Sequence, residues 1–314
     1  MTRPRPDVVV SVVIETVTTR EHSSADSLID ELAGTLAAVE RQTYPRDKFE
    51  IIVVLDDAID AGIAAALQRQ YPRVTIAHAR ESNYFDAKNS GARAARGSIV
   101  ALLDGDCQPR PDWLELLVSR FEPDVGAVVG STAYTGGSFL ARTFSVPDFG
   151  NVIERGGAAT GIMLNNTAFR REILIGHPLD ARIRRNGGCY LLFRQLQSQG
   201  IRMLFERRAE VMHGLDIRGV GFIRKHFDRG YDGVSVYRYD DRGVLRGTSL
   251  FRRFGGLALF PITARRIVLD GIRLTRERRQ IGLSFFALPY YYAIAFGTRM
   301  IELAGSLAAL ASTR

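Results

Sequence analysis

Residues 8–14 read VVVSVVI, an almost unbroken β-branched run. Such a run suits a strand buried on both faces in the middle of a parallel sheet. Residues 25–42 then carry Leu28, Leu32, Leu36 and Val39 at helical spacing, and the Tyr44-Pro45 step predicts the end of that helix. The alternation continues with a strand at 49–55 (FEIIVVL), a helix over 58–70, a strand at 74–78 (VTIAH), a helix over 87–96 and a strand at 98–103 (SIVALL). Strand-helix-strand units in series predict an α/β fold with a mostly parallel sheet and right-handed crossovers.

Past residue 120 the pattern loosens into Gly-rich stretches at Gly136-Gly137, Gly156-Gly157 and Gly187-Gly188, which read as loops around further strands and helices. A helix is predicted over 189–199, closed by Gly200. From 251 the character changes again. FGGLALFPITA (254–264) is apolar, RLTRERRQ (273–280) is basic, and 281–298 runs 18 residues without a charge. That last run is at the short end for a membrane span, contains Pro289, and has three tyrosines suited to a headgroup boundary; a buried core helix is the alternative.

Composition narrows the class. In 314 residues, 46% hydrophobic and 24% charged, there is enough apolar material for one large domain with an appendage, which excludes a disordered or collagenous chain. The net charge of +8 is regional: residues 155–280 hold 25 Lys+Arg against 11 Asp+Glu, and the rest holds 17 against 23. A basic region suits phosphate-rich partners such as anionic lipid or a nucleotide diphosphate. Nucleic acid is not expected, because no recognised binding module accompanies the charge. Cys107 and Cys189 match neither a disulfide framework nor zinc-ligand spacing, and the N-terminus does not read as a signal peptide, so a reducing cytoplasm is expected.

Ligands of open parallel sheets bind beyond the carboxyl ends of the strands. The polar residues there are Glu15-Thr16, Asp56-Asp57 with Asp60, and Asp104-Gly105-Asp106. Two carboxylates two residues apart at a strand end can share a hard divalent cation, and the cation can bridge phosphate oxygens. A sugar nucleotide needs that, because its leaving diphosphate gains charge as the glycosidic bond breaks. Asp56 can accept hydrogen bonds from a ribose or base, while Asp57 serves equally well as a helix N-cap. A dinucleotide oxidoreductase is excluded: ETVTTREHSS follows the first strand where G-x-G-x-x-G belongs.

The succession VSVVIE, RQTYPRDKFEIIVVLDDAID and DAKNSGARAARGSIVALLDGDCQPRPDWLELL resembles the nucleotide-binding half of family-2 glycosyltransferases, over residues 8–120. The resemblance implies a GT-A (Rossmann-like) fold, a nucleotide-sugar donor and Mg2+ or Mn2+. It implies that Thr16 lies on the donor side, that Asp56 contacts base or ribose, Asp104 the ribose or phosphate side and Asp106 the metal, and that Lys88 reaches a phosphate. More loosely, TGIMLNNTAFRREIL (160–174) resembles the acceptor-side stretch, and RMLFERRAEVMHG (202–214) a late strand ending in a metal-ligating histidine, His213.

Three positions depart from the family pattern. Glu15-Thr16 stands where Pro-Thr is usual, and Leu55 where the first carboxylate of the second acidic pair belongs. The family's inverting members begin the 189–199 helix with Glu-Asp, whose Asp deprotonates the acceptor; here the residues are Gly188-Cys189-Tyr190, and Asp180 is the nearest acidic candidate for that base. A displaced base, an acceptor that is already ionised, or a chain that binds donor without turnover each account for the loss. The expected organisation is a nucleotide-sugar half (1–120), an acceptor-side half of the same domain (121–250) and membrane-associated helices (251–314). The enzyme this describes is an inverting transferase at the cytoplasmic face of the cell membrane, using a glycan or lipid-linked acceptor; the alternative is a non-catalytic nucleotide-sugar-binding protein.

Overall fold

A computed structural model describes residues 8–17, 28–56, 61–81, 83–135, 139–150, 152–214 and 219–312. Asp57 and Asp60 of the second acidic cluster lie outside them. In chain order the elements are β1 (Val10–Glu15), α1 (Leu28–Glu40), β2 (Phe49–Leu55), α2 (Ala61–Gln70), β3 (Val74–His78), α3 (Tyr84–Ala94), β4 (Ile99–Asp104), β5 (Cys107–Pro109), α4 (Trp113–Val118) and β6 (Val125–Tyr134). There follow α5 (Phe139–Phe149), a small hairpin of β7 (Glu154–Arg155) and β8 (Ala158–Ala159), β9 (Thr167–Arg170), α6 (Arg171–Gly176), α7 (Gly188–Ser198) and β10 (Arg202–His213). The chain closes with α8 (Gly219–Arg238), α9 (Thr248–Phe254), α10 (Leu259–Arg276), α11 (Arg278–Ile281) and α12 (Leu288–Ala311).

Eight strands form one sheet in the order β3-β2-β1-β4-β9-β6-β10-β5. The first four are parallel, as their β-branched, doubly buried sequences predict; β9 runs antiparallel between β4 and β6, and β5 runs antiparallel on the edge of β10. Strands from both sides of residue 120 therefore complete a single sheet.

The two-residue period sorts the core. Val10, Val12 and Ile14 of β1 face α1, α2 and α4, whereas Val13, with Ile52, Val54, Val100 and Leu102, faces α3 and α7. Glu15 and Asp104, aligned side by side at the tops of β1 and β4, belong by the same alternation to the α3 face. Gly91 lets α3 lie close on that face, since a Cβ there would sit 2.2 Å from Val13 Cγ1.

Two boundaries differ from expectation in ways that matter. α3 begins at Tyr84 rather than 87, because Asn83 caps it by accepting from the Phe85 and Asp86 amides. That brings Tyr84 and Lys88 onto one helical face. The apolar run 281–298 is not one helix: Gly282, at φ +79°, ends α11, and Pro289 sits in the first turn of α12, where its missing N–H costs nothing.

Phe285–Ala311 is long and apolar enough to cross a membrane. In the fold, however, α12 packs along α8. Gly230 and Gly305 allow backbone contact at the crossing, where a Cβ would stand 1.8 Å from Glu302 O and 2.0 Å from Phe227 O respectively. Glu302 is buried there and pairs with Arg299 and Arg266, each at 2.7 Å.

Candidate active site

The tops of β4 and β10 meet through β5. Antiparallel pairing sets His213 opposite Cys107, and the Gly214 amide donates to Asp106 O at 2.9 Å, so the histidine ring is delivered to the Asp-Gly-Asp turn by backbone alone. Thr35 of α1 fixes the turn from below by donating to Gly105 O at 2.7 Å. His213 Nδ1 lies 3.3 Å from Asp106 Oδ2 and its Nε2 3.8 Å from Asp104 Oδ2. One ligand atom from each of Asp104, Asp106, Cys107 and His213 falls within 4.8 Å of the others. Two carboxylates and an imidazole are a donor set for a hard or borderline divalent cation. Burial, reinforced by Asp106 and Asp104, pushes the pKa of the Cys107 thiol well up.

Asp104 is oriented by α3. Tyr84 donates to Asp104 Oδ1 at 3.0 Å and the Lys88 ammonium does so at 2.7 Å. Lys88 also donates to Leu103 O at 3.1 Å and Leu164 O at 3.0 Å. With no exposed surface and all three N–H bonds used, Lys88 cannot reach a phosphate as the sequence suggested; it is the counter-ion of Asp104. Burial, then Asp104 and Glu15, push the Tyr84 phenol well above its ordinary value, so it remains a donor.

The remaining expected residues are spread around this centre. Thr16 is buried beyond β1 and donates to Val54 O at 2.9 Å; Asp56 is buried beyond β2. Asp180 lies on the rim of a cavity of about 340 Å3 between the 176–182 loop and α7. Arg182 grips its carboxylate on both oxygens, at 2.9 and 2.7 Å, and reaches Asp241 as well.

Sequence reasoning missed α8 and the buried charges beside the site. On α8, Lys225, Arg229, Asp232 and Val236 recur at one-face spacing. Lys225 pairs with Asp148 at 2.8 Å, contacts the Tyr134 hydroxyl and lies over the Tyr134 ring at 4.9 Å; Arg229 pairs with the other Asp148 oxygen at 2.8 Å. The Tyr134 ring in turn stands edge-on to His213, centroids 5.7 Å apart. Burial alone would raise the Asp148 carboxyl, but Lys225 and Arg229 hold it well below the usual carboxylate range. Further along α8, Asp232 accepts from Asn186 Nδ2 at 2.7 Å, and Val236 would meet a Cβ on Gly187 at 2.5 Å. This stripe therefore faces the start of α7. The Lys-His-Phe-Asp-Arg spacing at 225–229 was the available signal.

A parallel sheet whose strand tops gather an Asp-x-Asp turn and a histidine defines a GT-A fold. Its backbone superposes on a mannosyltransferase from Pyrobaculum calidifontis, solved with GDP-Man and Mn2+, with a TM-score of 0.63 at 19% identity, covering 99% of this chain and 90% of that one. Residues 25–176 match the model of glycosyl transferase family 2. Curated relatives include glycosyltransferase AglE of Haloferax volcanii, 30% identical over 147 residues (46% of this chain, 45% of that protein). A dolichol-phosphate mannosyltransferase of Pyrococcus furiosus is 23% identical over 215 residues (68% and 50%). The chain thus spans about half the length of these relatives.

Proposed function

We propose that this protein transfers a sugar, with inversion, from a nucleoside-diphosphate donor to an acceptor at a membrane surface. The observation that carries the reading is the convergence of Asp104, Asp106 and His213 at the strand tops, where a GT-A sheet receives its donor. Asp104, Asp106 and His213 would hold Mg2+ or Mn2+, which when bound supplies positive charge against the leaving diphosphate. Lys88 and Tyr84 hold the Asp104 carboxylate in position. Thr16 and Asp56, at the neighbouring strand tops, serve the base and ribose. If the acceptor is a hydroxyl, Asp180 is the base that the 176–182 loop offers. In this reading residues 1–120 form the donor half, 121–250 the acceptor half and 251–314 the membrane-facing end. The complex of the Pyrobaculum structure with GDP-Man and Mn2+ supports a donor of this class.

Membrane contact is read from the outer face of the C-terminal helices. Phe260, Val268 and Ile272 form an exposed apolar stripe along α10, Phe286 projects from the loop before α12, and exposed Arg265, Arg276 and Arg279 flank them. Apolar side chains set among arginines suit in-plane seating on an anionic leaflet, here the cytoplasmic face. Glu302, locked into buried ion pairs, argues against α12 leaving the fold to span.

The test is binding followed by turnover. Thermal unfolding is measured against UDP-, GDP-, dTDP- and CMP-sugars with and without Mn2+. Stabilisation by one nucleotide that needs the metal, and that is lost in Asp106→Ala, is the expected result. Metal-independent binding unchanged by Asp106→Ala would sink the metal assignment. Binding without transfer to any acceptor would favour the alternative, a non-catalytic nucleotide-sugar-binding protein, for which Gly188-Cys189 at the start of α7 is the supporting feature.

A further inference from the structure

Cys107 matches no zinc-ligand spacing in the sequence, yet the fold brings it to the metal centre. β5 and β10 pair antiparallel with Cys107 opposite His213, and the Cys107 sulfur lies 3.8 Å from Asp106 Oδ1. One donor atom from each of Asp104, Asp106, Cys107 and His213 falls within 4.8 Å of the others. Oxygen, nitrogen and sulfur donors around a tetrahedral Zn2+ stand about 3.3–3.7 Å apart, given bonds of about 2.0–2.3 Å. The Cys107 Sγ–Asp106 Oδ1 and His213 Nε2–Asp104 Oδ2 pairs are each at 3.8 Å, so these side chains need little adjustment to meet such an ion.

The surrounding contacts orient the donors. His213 Nδ1 lies 2.7 Å from Gly214 O, which only accepts, so Nδ1 carries the proton and Nε2 presents its lone pair toward Asp104. Tyr84 and Lys88 both donate to Asp104 Oδ1, which leaves Oδ2 on the side of His213. Asp106 and His213 keep 25% and 15% side-chain exposure while Cys107 is fully buried, so an ion entering past the first two meets the sulfur at the base of the cluster. Burial, Asp106 and Asp104 push the thiol's pKa well up. A cation among these groups inverts that logic, because a thiol that coordinates zinc is deprotonated outright.

We propose that Cys107 makes this centre discriminate between metals: Mg2+ and Mn2+ are held by Asp104, Asp106 and His213, whereas Zn2+ takes the Cys107 sulfur as a fourth ligand and closes the site. The zinc–sulfur bond forms with the sulfur's electron pair, and the thiol proton passes to solvent. Soft thiolate favours zinc over manganese, and the general affinity order of the divalent ions runs the same way. An ion with four protein ligands has no open position, and an open position is what a catalytic metal offers its substrate. Resting on the glycosyltransferase reading above, Zn2+ is then an inhibitor that displaces Mn2+ and leaves the donor's diphosphate no place to coordinate.

The full chain is titrated with Co2+, a spectroscopic substitute for Zn2+. A near-ultraviolet sulfur-to-cobalt charge-transfer band is expected, lost in Cys107→Ala and Cys107→Ser and kept in Cys189→Ser, which removes the chain's other cysteine. Zn2+ should expel bound Mn2+, read as the return of the electron paramagnetic resonance signal of free Mn2+. The Cys107 variants should need about tenfold or more Zn2+ to do so, a direct ligand counting for at least as much as an outer-shell partner. Zn2+ should also abolish the thermal stabilisation that a nucleotide sugar gives with Mn2+. A wild-type chain that binds Co2+ without the band, or a band that disappears in Cys189→Ser, overturns the proposal, and neither result depends on whether the buried Cys107 tolerates replacement. Nucleotide-sugar stabilisation supported by Zn2+ as well as by Mn2+ overturns the closed site. A Cys107-dependent band in a chain that no nucleotide sugar stabilises with any metal would uphold the metal discrimination and sink the transferase reading instead.

Discussion

Lys88 is a fully buried cation that spends its three donors on Asp104 and two carbonyls, and its worth follows from that enclosure. Lys88→Met leaves Asp104 desolvated without a counter-ion, which should cost about 3–5 kcal/mol and abolish metal-dependent donor binding. Urea unfolding measures the first effect and calorimetric titration the second; a loss below about 1 kcal/mol would mean that Asp104 finds water instead. Asp148 is the acidic counterpart, buried against Lys225 and Arg229 of α8. Its carboxyl is held well below the ordinary range in the fold and returns to that range when the chain unfolds, so its stabilisation is complete above about pH 4 and is lost as pH falls through the folded value. Asp148→Asn should therefore be about 3–5 kcal/mol less stable near pH 7, with the gap closing on acidification. Parallel pH dependence of the two proteins would show that Asp148 is not the group responsible.

At the scale of elements, two helices carry the site. α3 is set on the sheet by Gly91, where an added methyl would lie 2.2 Å from Val13 Cγ1 and 2.9 Å from Val54 Cγ2. Gly91→Ala should destabilise by about 1–3 kcal/mol through overpacking, outweighing alanine's better helix propensity of about 1 kcal/mol. Chemical denaturation decides the sign; a neutral or stabilised variant would mean that α3 can slide outward, carrying Tyr84 and Lys88 with it. Lys225 and Arg229 pair with Asp148, while Gly230 meets α12 on an adjoining face. The arrangement was hidden in the sequence, because Gly-rich, Arg-rich 219–238 has no clean apolar stripe. It becomes helical by packing between the sheet domain and α12 rather than by its own pattern.

Across the whole molecule, charge and apolar exposure segregate. The basic surplus that the sequence assigns to residues 155–280 includes the half-buried Lys225 and Arg229 that pair with Asp148 and exposed arginines beside the α10 stripe. Sedimentation with vesicles containing phosphatidylglycerol should fall about tenfold or more for Phe260→Glu combined with Val268→Glu, since each substitution removes apolar burial and adds repulsion. Binding should also weaken with salt, and the melting temperature should not move. Vesicle binding that survives both the substitutions and high salt would transfer the membrane contact elsewhere.

The first four strands, the helices α1, α2, α3 and α7 and the Asp-Gly-Asp turn were legible in the chain because each depends on a period of two or about four residues and on local caps, all of which are written in adjacent positions. Tertiary structure decided the rest. Glu15 stands beside Asp104, and His213 opposite Cys107, through sheet register; Lys88, which the sequence set against a phosphate, is enclosed against Asp104 and two carbonyls by the packing of α3; and the apolar tail became a packed, partly exposed layer because Gly282 and Pro289 divide it. Register and burial bring together residues far apart in sequence, and a side chain's role depends on which donors and acceptors surround it once water has been excluded.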